Sequence, residues 1–417
     1  LMHGEPLKFH LQEGAIPHAI HVPPSIPVHW KGKVMDAIKQ DVALGVLEKV
    51  PPNTPSTWCH RLVITRKHNG EPRRTVDLKK LNDVCVRQTH PTEPPFKQAM
   101  SVPHKVKKST LDAWNGYHSV AIREEDRHLT TFLTPEGRFR YRTAPQGFLA
   151  SGDGYTHRYD EITKNVDNIK RVIDDTLLYA KTLEDAFYQV AKYLELAGNN
   201  GIILNPEKFN LGKDVVDWAG VRITQDGIEP LPEHIEAIKN FPVPENITDM
   251  RSYWALVNQV SNYYATQPHL APFRELMKKN TKWYWDDVLQ QLFEQSRAFI
   301  ADKIQEGITR YDTTKWTAVM TDWSRQGIGF VMCQKYCSCP TITPLCCKIG
   351  WKVCMVGSSF LSPAEQNYSP IEGEGLAVVN ALHKTRHYTQ GCDKLLVCTD
   401  HKPLVPVMST KTLENIE

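Results

Sequence analysis

Two adjacent aspartates interrupt a run of strand-forming residues near the middle of the chain. Asp174 and Asp175 stand between residues 171–173 and residues 176–179, which are mostly apolar, β-branched or aromatic. This arrangement predicts a strand, a tight acidic turn and a second strand. Aspartates also support turns through hydrogen bonds to their own backbone, so a purely structural role for the pair stays open at this point.

A third aspartate occurs in similar surroundings upstream. Asp112 ends the strand-like run 109–112, and Gly116 marks a bend before a second strand-like run over residues 117–122. If the strands are neighbours in one sheet, Asp112 and Asp174 converge on one edge. Clustered carboxylates repel each other unless cations neutralise them, and Mg²⁺ prefers oxygen ligands and also binds substrate phosphates. The pattern therefore favours a two-metal phosphoryl-transfer site.

Three motifs in order carry a resemblance to a known family. They are Leu111-Asp112-Ala113 with Gly116-Tyr117, then Ala144-Pro145-Gln146-Gly147-Phe148, then Ile173-Asp174-Asp175. The set resembles the reverse transcriptase of Gypsy-type long-terminal-repeat retrotransposons, and the resemblance covers nearly the whole chain. It implies an α+β fold, in which a right-hand polymerase of fingers, palm and thumb precedes a helical connection and a truncated α/β ribonuclease H-like domain. Val172 stands where the family usually has Tyr, which predicts altered substrate packing with metal binding kept.

The resemblance implies roles for individual residues. Asp112, Asp174 and Asp175 would be catalytic and would hold two Mg²⁺ or Mn²⁺ ions. The residues expected to contact the incoming nucleotide are Arg73, one of Arg66 and Lys67, Tyr117 and Gln146. Tyr117 matches the aromatic gate that excludes a ribose 2′-hydroxyl, and a half-buried strand tyrosine is the alternative. The implied partners are an RNA template, a DNA primer, an RNA–DNA hybrid, deoxynucleoside triphosphates, and the protease and integrase of the same polyprotein.

Positive charge is concentrated before Asp112. Residues 61 to 110 contain twelve Lys or Arg and four Asp or Glu, a surplus of eight, although the whole chain carries a net charge of only +3. Such a block beside the acids indicates a phosphate-binding face, with a solvated charge run as the alternative. Within it, strands at 62–65 and 75–78 around a His68-Asn69-Gly70 turn predict a basic hairpin similar to the fingers of reverse transcriptases.

Periodic segments predict two helices that would support these motifs. One is expected over residues 30–50, where Pro51-Pro52 would end it. The other is expected over residues 182–197, opened by a Thr182 cap. Its buried face is predicted to consist of Phe187, Val190, Ala191 and Leu194.

A second set of acids follows later in the chain. Asp322 and Asp400 each end a strand-like run, and Glu374 lies at the start of a helix. The set is similar to the ribonuclease H domain of the same elements, in which these three acids would be catalytic metal ligands. That family carries a fourth acid further on, and Gly375 stands where it usually has Ala. We therefore expect weak ribonuclease activity.

Changes in composition suggest four domains. They are an N-terminal extended segment and helix over 1–58, fingers and palm over 59–222, thumb and connection over 223–308, and the ribonuclease H-like domain over 309–417. No run approaches the roughly 20 apolar residues of a membrane span, and the start lacks a secretory pattern. We expect a segment of a longer polyprotein that acts without a membrane, in a cytoplasmic particle or the nucleus, and is not secreted. The rival hypothesis is a relic that binds nucleic acid without catalysis.

Cysteines are unevenly distributed, with eight of the ten after residue 330. Four thiolates suffice for a structural zinc site, although the spacing of this group departs from the usual pairs separated by two residues. An insert with free thiols is the alternative. The residues concerned are Cys337, Cys339, Cys346 and Cys347.

Overall fold

The computed structural model describes residues 1–67, 70–114, 116–278, 281–347 and 349–410. The predicted turn at His68-Asn69, and Asn115 beside the first aspartate motif, lie outside the described residues. The chain forms two compact units, Leu1–Pro94 with Lys107–Lys213, and Pro95–Val106 with the described residues from Asp214 onwards. The division into four domains stays a prediction.

Both units contain α-helices and β-strands. The α-helices are α1 (Val28–Ala43), α2 (Lys79–Asn82), α3 (Pro95–Met100), α4 (Ser151–Thr163), α5 (Leu183–Asn199), α6 (Pro232–Lys239), α7 (Ile247–Gln259), α8 (Gln267–Leu270), α9 (Asp287–Ile304), α10 (Pro370–Thr389) and α11 (Leu404–Thr410). The strands are β1 (Leu47–Lys49), β2 (His60–Arg66), β3 (Pro72–Asp77), β4 (Lys107–Asp112), β5 (Phe132–Thr134), β6 (Gly137–Tyr141), β7 (Ile169–Val172), β8 (Asp175–Ala180), β9 (Asn210–Lys213), β10 (Val216–Trp218), β11 (Val221–Ile223), β12 (Gly227–Pro230), β13 (Ile308–Thr309), β14 (Thr317–Trp323), β15 (Gly327–Lys335), β16 (Trp351–Phe360) and β17 (Leu395–Cys398). Short 3₁₀ helices cover Gly116–Ser119, Glu124–Thr130, Pro206–Lys208, Ala271–Phe273, Glu275–Met277 and Glu365–Asn367.

The first unit contains a five-stranded sheet of order β1-β6-β5-β2-β3. Its strands β2 and β3 form the predicted basic hairpin, with Thr65 opposite Arg73. The helix predicted over residues 30–50 is too long, because α1 ends at Ala43 and β1 follows, paired with β6. Gly45 adopts φ +74°, a left-handed conformation that glycine reaches without strain, and the chain reverses there.

The second sheet of this unit has the order β7-β8-β4-β9 and carries the three aspartates, so we call it the aspartate sheet. β7 and β8 form the hairpin predicted around Asp174, and β4 pairs antiparallel with β8. The strand predicted over residues 117–122 is wrong. That segment begins as a 3₁₀ helix and continues through single bridges from Ala121 to Thr143 and from Ile122 to Leu7.

Helix α5 packs on the aspartate sheet through a different face from the predicted one. It begins as expected, because Thr182 caps it by accepting the Asp185 amide at 3.1 Å. Its buried residues are Ala186, Val190, Tyr193 and Ala197, whereas Phe187, Ala191 and Leu194 are exposed. Small alanines at two of these positions let the helix backbone approach the strands, and the Tyr193 hydroxyl reaches Thr176 of β8 at 3.3 Å.

The second unit contains two four-stranded sheets. The first has the order β10-β11-β12-β13. Beside it the guanidinium of Arg310 is buried and donates to the carbonyls of Thr224, Gly227 and Gln225. The second has the order β16-β15-β14-β17, in which β17 runs parallel to β14 and α10 packs against β14 and β15. Within the described ranges, every helix is too short or too polar to serve as a membrane span.

Candidate active site

The turn of the aspartate hairpin is held by the helix beneath it. Ile173 and Asp174 join β7 to β8, and Ile173 has φ +52°, a costly conformation for a β-branched residue. The buried guanidinium of Arg171 donates to the Ile173 carbonyl at 2.9 Å and to the Thr156 carbonyl of α4 at 3.0 Å. It also pairs with Asp160 of α4. Arg171, which the sequence did not single out, thus fixes the turn from below.

The three predicted aspartates meet on this sheet. Asp112 and Asp175 are directly opposite each other on β4 and β8, and the Ala113 amide donates to the Asp174 carbonyl at 2.9 Å. Burial raises the pKa of Asp174 and of Asp175, and the neighbouring Asp112 carboxylate raises both pKa values further. The grouped negative charge is therefore unfavourable unless a cation accompanies it.

One such cation is Lys208, which the sequence did not indicate. Its Nζ lies 2.9 Å from Asp112 Oδ2, and the two residues are 96 positions apart in the chain. The hydrogen bond to Asp112 raises the pKa of Lys208, and the ammonium in turn lowers the pKa of Asp174 and of Asp175. The Asn205 amide, which donates to the Asp112 carbonyl at 2.8 Å, brings this segment alongside the acids.

The aspartates fit a divalent cation. Asp174 Oδ1 is buried and makes no hydrogen bond of good geometry within the part of the chain that the structure describes, although the Tyr155 hydroxyl beside it lowers the pKa of Asp174. A buried carboxylate oxygen without a partner is costly, and a metal ion would remove that cost. Together with Asp112 and Asp175 it offers a set of oxygen ligands that suits Mg²⁺ or Mn²⁺.

The predicted nucleotide-binding residues lie in the same unit as the aspartates. Arg66, Lys67 and Arg73 are exposed on the basic hairpin, and Gln146 is exposed in its loop. Tyr117 is half-buried, and its ring packs edge-on against Tyr155 with centroids 5.7 Å apart. Burial raises the pKa of Tyr117, and the Asp174 carboxylate raises it further, which places Tyr117 beside the acids.

The loop that contains Gln146 is fixed by Asn82. The Asn82 side chain donates to the Gly147 carbonyl at 2.8 Å and accepts the Leu149 amide at 3.0 Å. The Ser151 hydroxyl then donates to the Pro145 carbonyl at 2.7 Å as α4 begins. Helix α4 therefore begins directly after this loop. Asn82 lies 65 residues from Gly147, and no local pattern pointed to it.

The second predicted set of acids also comes together. One carboxylate oxygen from each of Asp322 in β14, Glu374 in α10 and Asp400 beyond β17 lies within 4.8 Å of the others. Glu374 is buried and the two aspartates are exposed. Burial raises the pKa of Glu374, the charges of Asp400 and Asp322 raise it further, and its Oε2 has no hydrogen-bond partner among the described residues. This set also fits a divalent cation.

Close packing of α10 against β14 positions Glu374. A Cβ added at Gly373 would lie 2.2 to 2.4 Å from atoms of the Trp323 indole, next to Asp322. A Cβ added at Gly375 would have Leu404 Cδ1 as its nearest neighbour, at an ordinary 3.9 Å. Gly373 is thus required by the contact with Trp323, whereas the site tolerates a larger residue at position 375.

Comparisons with known proteins identify two families of domains in this chain. Residues 65–223 match the family of reverse transcriptases (RNA-dependent DNA polymerases), and residues 312–416 match the ribonuclease H-like domain found in reverse transcriptase. The chain carries a reverse transcriptase domain followed by a ribonuclease H-like domain. The Tf2-3 and Tf2-7 transposon polyproteins of Schizosaccharomyces pombe are each 24% identical to it over 381 residues, which cover 89% of this chain and 27% of each polyprotein. The chain thus spans about a quarter of the length of these relatives, and the predicted resemblance to retrotransposon reverse transcriptases is confirmed.

Solved structures share the fold of this chain. The foamy viral protease-reverse transcriptase in complex with RNA/DNA hybrid has a TM-score of 0.80 and 18% identity, over 96% of this chain and 53% of that one. The same viral protein in complex with dsDNA has a TM-score of 0.78 and 18% identity, over 98% and 84%. The predicted α+β fold class, a right-hand polymerase with a ribonuclease H-like domain, is confirmed.

Proposed function

We propose that this chain is the polymerase and ribonuclease H segment of a retrotransposon polyprotein. It would extend a DNA primer on an RNA template and cleave the RNA strand of the resulting hybrid. The observation that carries the proposal is the pairing of Asp112 with Asp175, beside Asp174, in a reverse transcriptase domain. The foamy viral neighbours were solved as complexes with RNA/DNA hybrid and dsDNA, which supports nucleic acid as the partner.

The residues of the chain divide the work of nucleotidyl transfer. Mg²⁺ or Mn²⁺ ions held by the three aspartates would activate the primer 3′-hydroxyl and neutralise the triphosphate. Arg73, with Arg66 or Lys67, would bind the triphosphate from the basic hairpin. Gln146 would contact the sugar and phosphates of the deoxynucleotide. Arg171 is a positioning residue, because it holds the turn that carries Asp174.

Primer extension on an RNA template with Mg²⁺ tests the polymerase proposal. Asp112→Asn should abolish extension, because it removes one carboxylate charge from the proposed metal site. Asp36→Asn is a matched control, since Asp36 is an exposed residue of α1. Extension by Asp112→Asn at a rate near that of the unmodified chain would refute the metal assignment. A folded chain that binds hybrid but extends no primer would support the alternative of a non-catalytic relic.

Tyr117 is proposed to select the sugar. Its half-buried ring would occupy the space that a ribose 2′-hydroxyl needs, so Tyr117→Ala should admit ribonucleotides. Tyr117→Phe is the control, because it keeps the ring and should keep the preference for deoxyribonucleotides. Competition between the two nucleotide types measures the effect. An unchanged preference in an active Tyr117→Ala chain would leave Tyr117 with a packing role against Tyr155.

The ribonuclease H proposal has its own assay. Asp322, Glu374 and Asp400 would hold the ions that activate water against the RNA backbone. Cleavage of a labelled RNA–DNA hybrid should require Mg²⁺ or Mn²⁺ and should be lost in Asp322→Asn. Cleavage that survives this substitution would place the chemistry elsewhere.

The cellular setting is also a proposal. We infer that the chain acts together with the protease and integrase of the same polyprotein, inside the cell in a cytoplasmic particle or the nucleus. Support comes from the transposon polyproteins that the chain resembles. Co-purification of the three parts from cells that express the whole element, with microscopy of the tagged polyprotein, tests both statements.

A further inference from the structure

Four cysteines gather in the loop that joins β15 to β16. The described part of this loop comprises residues 336–347 and 349–350, and the sulfurs of Cys337, Cys339, Cys346 and Cys347 all lie within 4.8 Å of one another. Cys337 Sγ and Cys346 Sγ are 3.5 Å apart, well beyond the roughly 2.05 Å of a disulfide bond. All four cysteines are free thiols.

The spacing of the sulfurs matches a tetrahedral metal site. Zinc–sulfur bonds of about 2.3 Å at tetrahedral angles put neighbouring sulfurs about 3.8 Å apart. The observed separations, one of 3.5 Å and all within 4.8 Å, bracket that value. Thiols are weak donors and weak acceptors, so hydrogen bonds among themselves give little reason for four of them to converge.

The backbone of the loop is shaped around the sulfurs. A Cβ added at Gly350 would lie 2.4 Å from Cys347 Sγ and 2.5 Å from Cys337 Sγ, so only glycine leaves room for both. The Gly350 carbonyl accepts the Tyr336 amide at 2.7 Å, and the Gly350 amide donates to the Cys347 carbonyl at 3.4 Å. The first of these bonds joins the two ends of the loop, and the second forms a turn at one end, in both cases without help from the thiols. The convergence of the sulfurs is therefore built into the main chain.

The cluster also adjoins the core of the ribonuclease H-like domain. Cys346 packs against the group formed by Ala318 of β14, Cys333 of β15 and Trp351 of β16. All four cysteines of the cluster are half-buried. A metal bound to them would therefore connect the loop to strands of the sheet that carries Asp322.

We propose that Cys337, Cys339, Cys346 and Cys347 bind one structural Zn²⁺ ion that fastens the β15–β16 loop to the ribonuclease H-like domain. Four thiolates form a closed zinc site with no open position for substrate. Each thiol releases its proton to solvent on binding, and neither sulfur nor zinc changes oxidation state. The ion serves stability, in contrast to the ions proposed for the carboxylate sites.

Metal analysis of the full 417-residue chain, purified under reducing conditions and dialysed against a weak chelator, tests the proposal. We expect close to one zinc per chain. Replacement by Co²⁺ should give the intense visible bands of a tetrahedral site together with a sulfur-to-cobalt charge-transfer band. Cobalt bound only by carboxylates gives no charge-transfer band of this kind, so this readout separates the cysteine site from the two acid sites.

Variants locate the ion. Cys337→Ser and Cys346→Ser should each lower the zinc content well below stoichiometry, remove the charge-transfer band and lower the melting temperature. Cys392→Ser is the matched control, because its thiol lies outside the cluster and accepts a hydrogen bond from the Tyr311 hydroxyl that a serine also accepts. Absence of the band from the reduced unmodified chain, or equal metal content in Cys337→Ser, would overturn the proposal. The spectrum of the unmodified chain decides the matter even where a variant fails to fold.

Discussion

The two carboxylate sites of this chain are assembled in different ways. Asp112 and Asp175 are neighbours in one antiparallel pair of strands, and the backbone of a hairpin fixes Asp174 beside them. Glu374 instead comes from a helix, and it reaches Asp322 and Asp400 only because α10 packs closely on its sheet. Hydrogen bonds between strands position the first set, and side-chain packing positions the second.

The charges around the two sites also differ. Lys208 lies 2.9 Å from Asp112 and lowers the pKa of both buried aspartates of the first site. In the second site the carboxylate of highest burial, Glu374, faces two exposed aspartates, and the nearby His401 lowers its pKa. We therefore expect the proposed polymerase site to respond most to changes of charge and the proposed ribonuclease H site to respond most to changes of packing. Four predictions test this contrast.

The largest effect should come from removing one acid from each site. Asp174→Asn should reduce primer extension by more than about a hundredfold, since even the outer partners of metal ligands cost roughly 10- to 100-fold. The free energy of unfolding of this variant should not fall, because the substitution removes a buried charge whose Oδ1 has no hydrogen bond of good geometry among the described residues. Glu374→Gln should have the opposite effect, because hybrid cleavage should be lost and primer extension should be kept. Assaying both activities on both variants checks whether the two sites are independent. Loss of both activities in either variant would contradict that independence.

A packing change should disable only the second site. Gly373→Ala places a methyl group against the Trp323 indole, and overpacking of this kind costs roughly 1–3 kcal/mol. The displaced indole should carry Asp322 away from Glu374, so hybrid cleavage should fall while extension stays near that of the unmodified chain. Thermal unfolding and the two activity assays measure the outcome. Full cleavage activity in Gly373→Ala would show that packing does not position the triad.

A charge change should shift the pH dependence of the first site. Metal binding needs Asp174 and Asp175 deprotonated, and both carboxyls have raised pKa values. As the pH is lowered, primer extension should therefore begin to fall at a higher pH than it would with ordinary aspartates. Lys208 lowers both pKa values, so Lys208→Ala should move the acid limb of the rate profile to still higher pH. Lys213→Ala is the control, since it removes an exposed charge from β9 of the same sheet. An acid limb that stays in place, or moves to lower pH, would contradict the role given to Lys208.

The smallest effect is a gain in stability. Gly375→Ala adds a methyl group in open surroundings within α10, and alanine favours a helix over glycine by up to about 1 kcal/mol. The melting temperature should therefore rise, in contrast to the fall expected for Gly373→Ala two positions away. Paired thermal unfolding of the two variants measures the difference. A fall of similar size in both would mean that α10 resists any added side chain.

The sequence was sufficient where the signal was local. Apolar runs that end on Asp112, on Asp174 and on Asp322 predicted strands that the structure contains, and the Thr182 cap marked the start of α5. These signals depend on residues within one or two turns of each other, which a sequence displays directly.

Long-range contacts account for what the sequence did not reveal. Lys208 and Asn82 act on partners 96 and 65 residues away, and neither stands in a distinctive local pattern. The prediction of the buried face of α5 was wrong because apolar residues occur on two faces of that helix. The face that packs on the sheet is the one with small alanines, which allow a close approach. Gly45 ended α1 early because a left-handed glycine reverses the chain whatever the helical periodicity beyond it.

The second set of acids cannot assemble during synthesis until β17 has been made and can pair with β14. Asp400 follows Asp175 by 225 residues in the chain. At a translation rate of roughly 5–20 residues per second, it leaves the ribosome about 10–45 s later. A nascent chain therefore passes through a period in which all three aspartates of the proposed polymerase site have been made, whereas the proposed ribonuclease H triad still lacks Asp400.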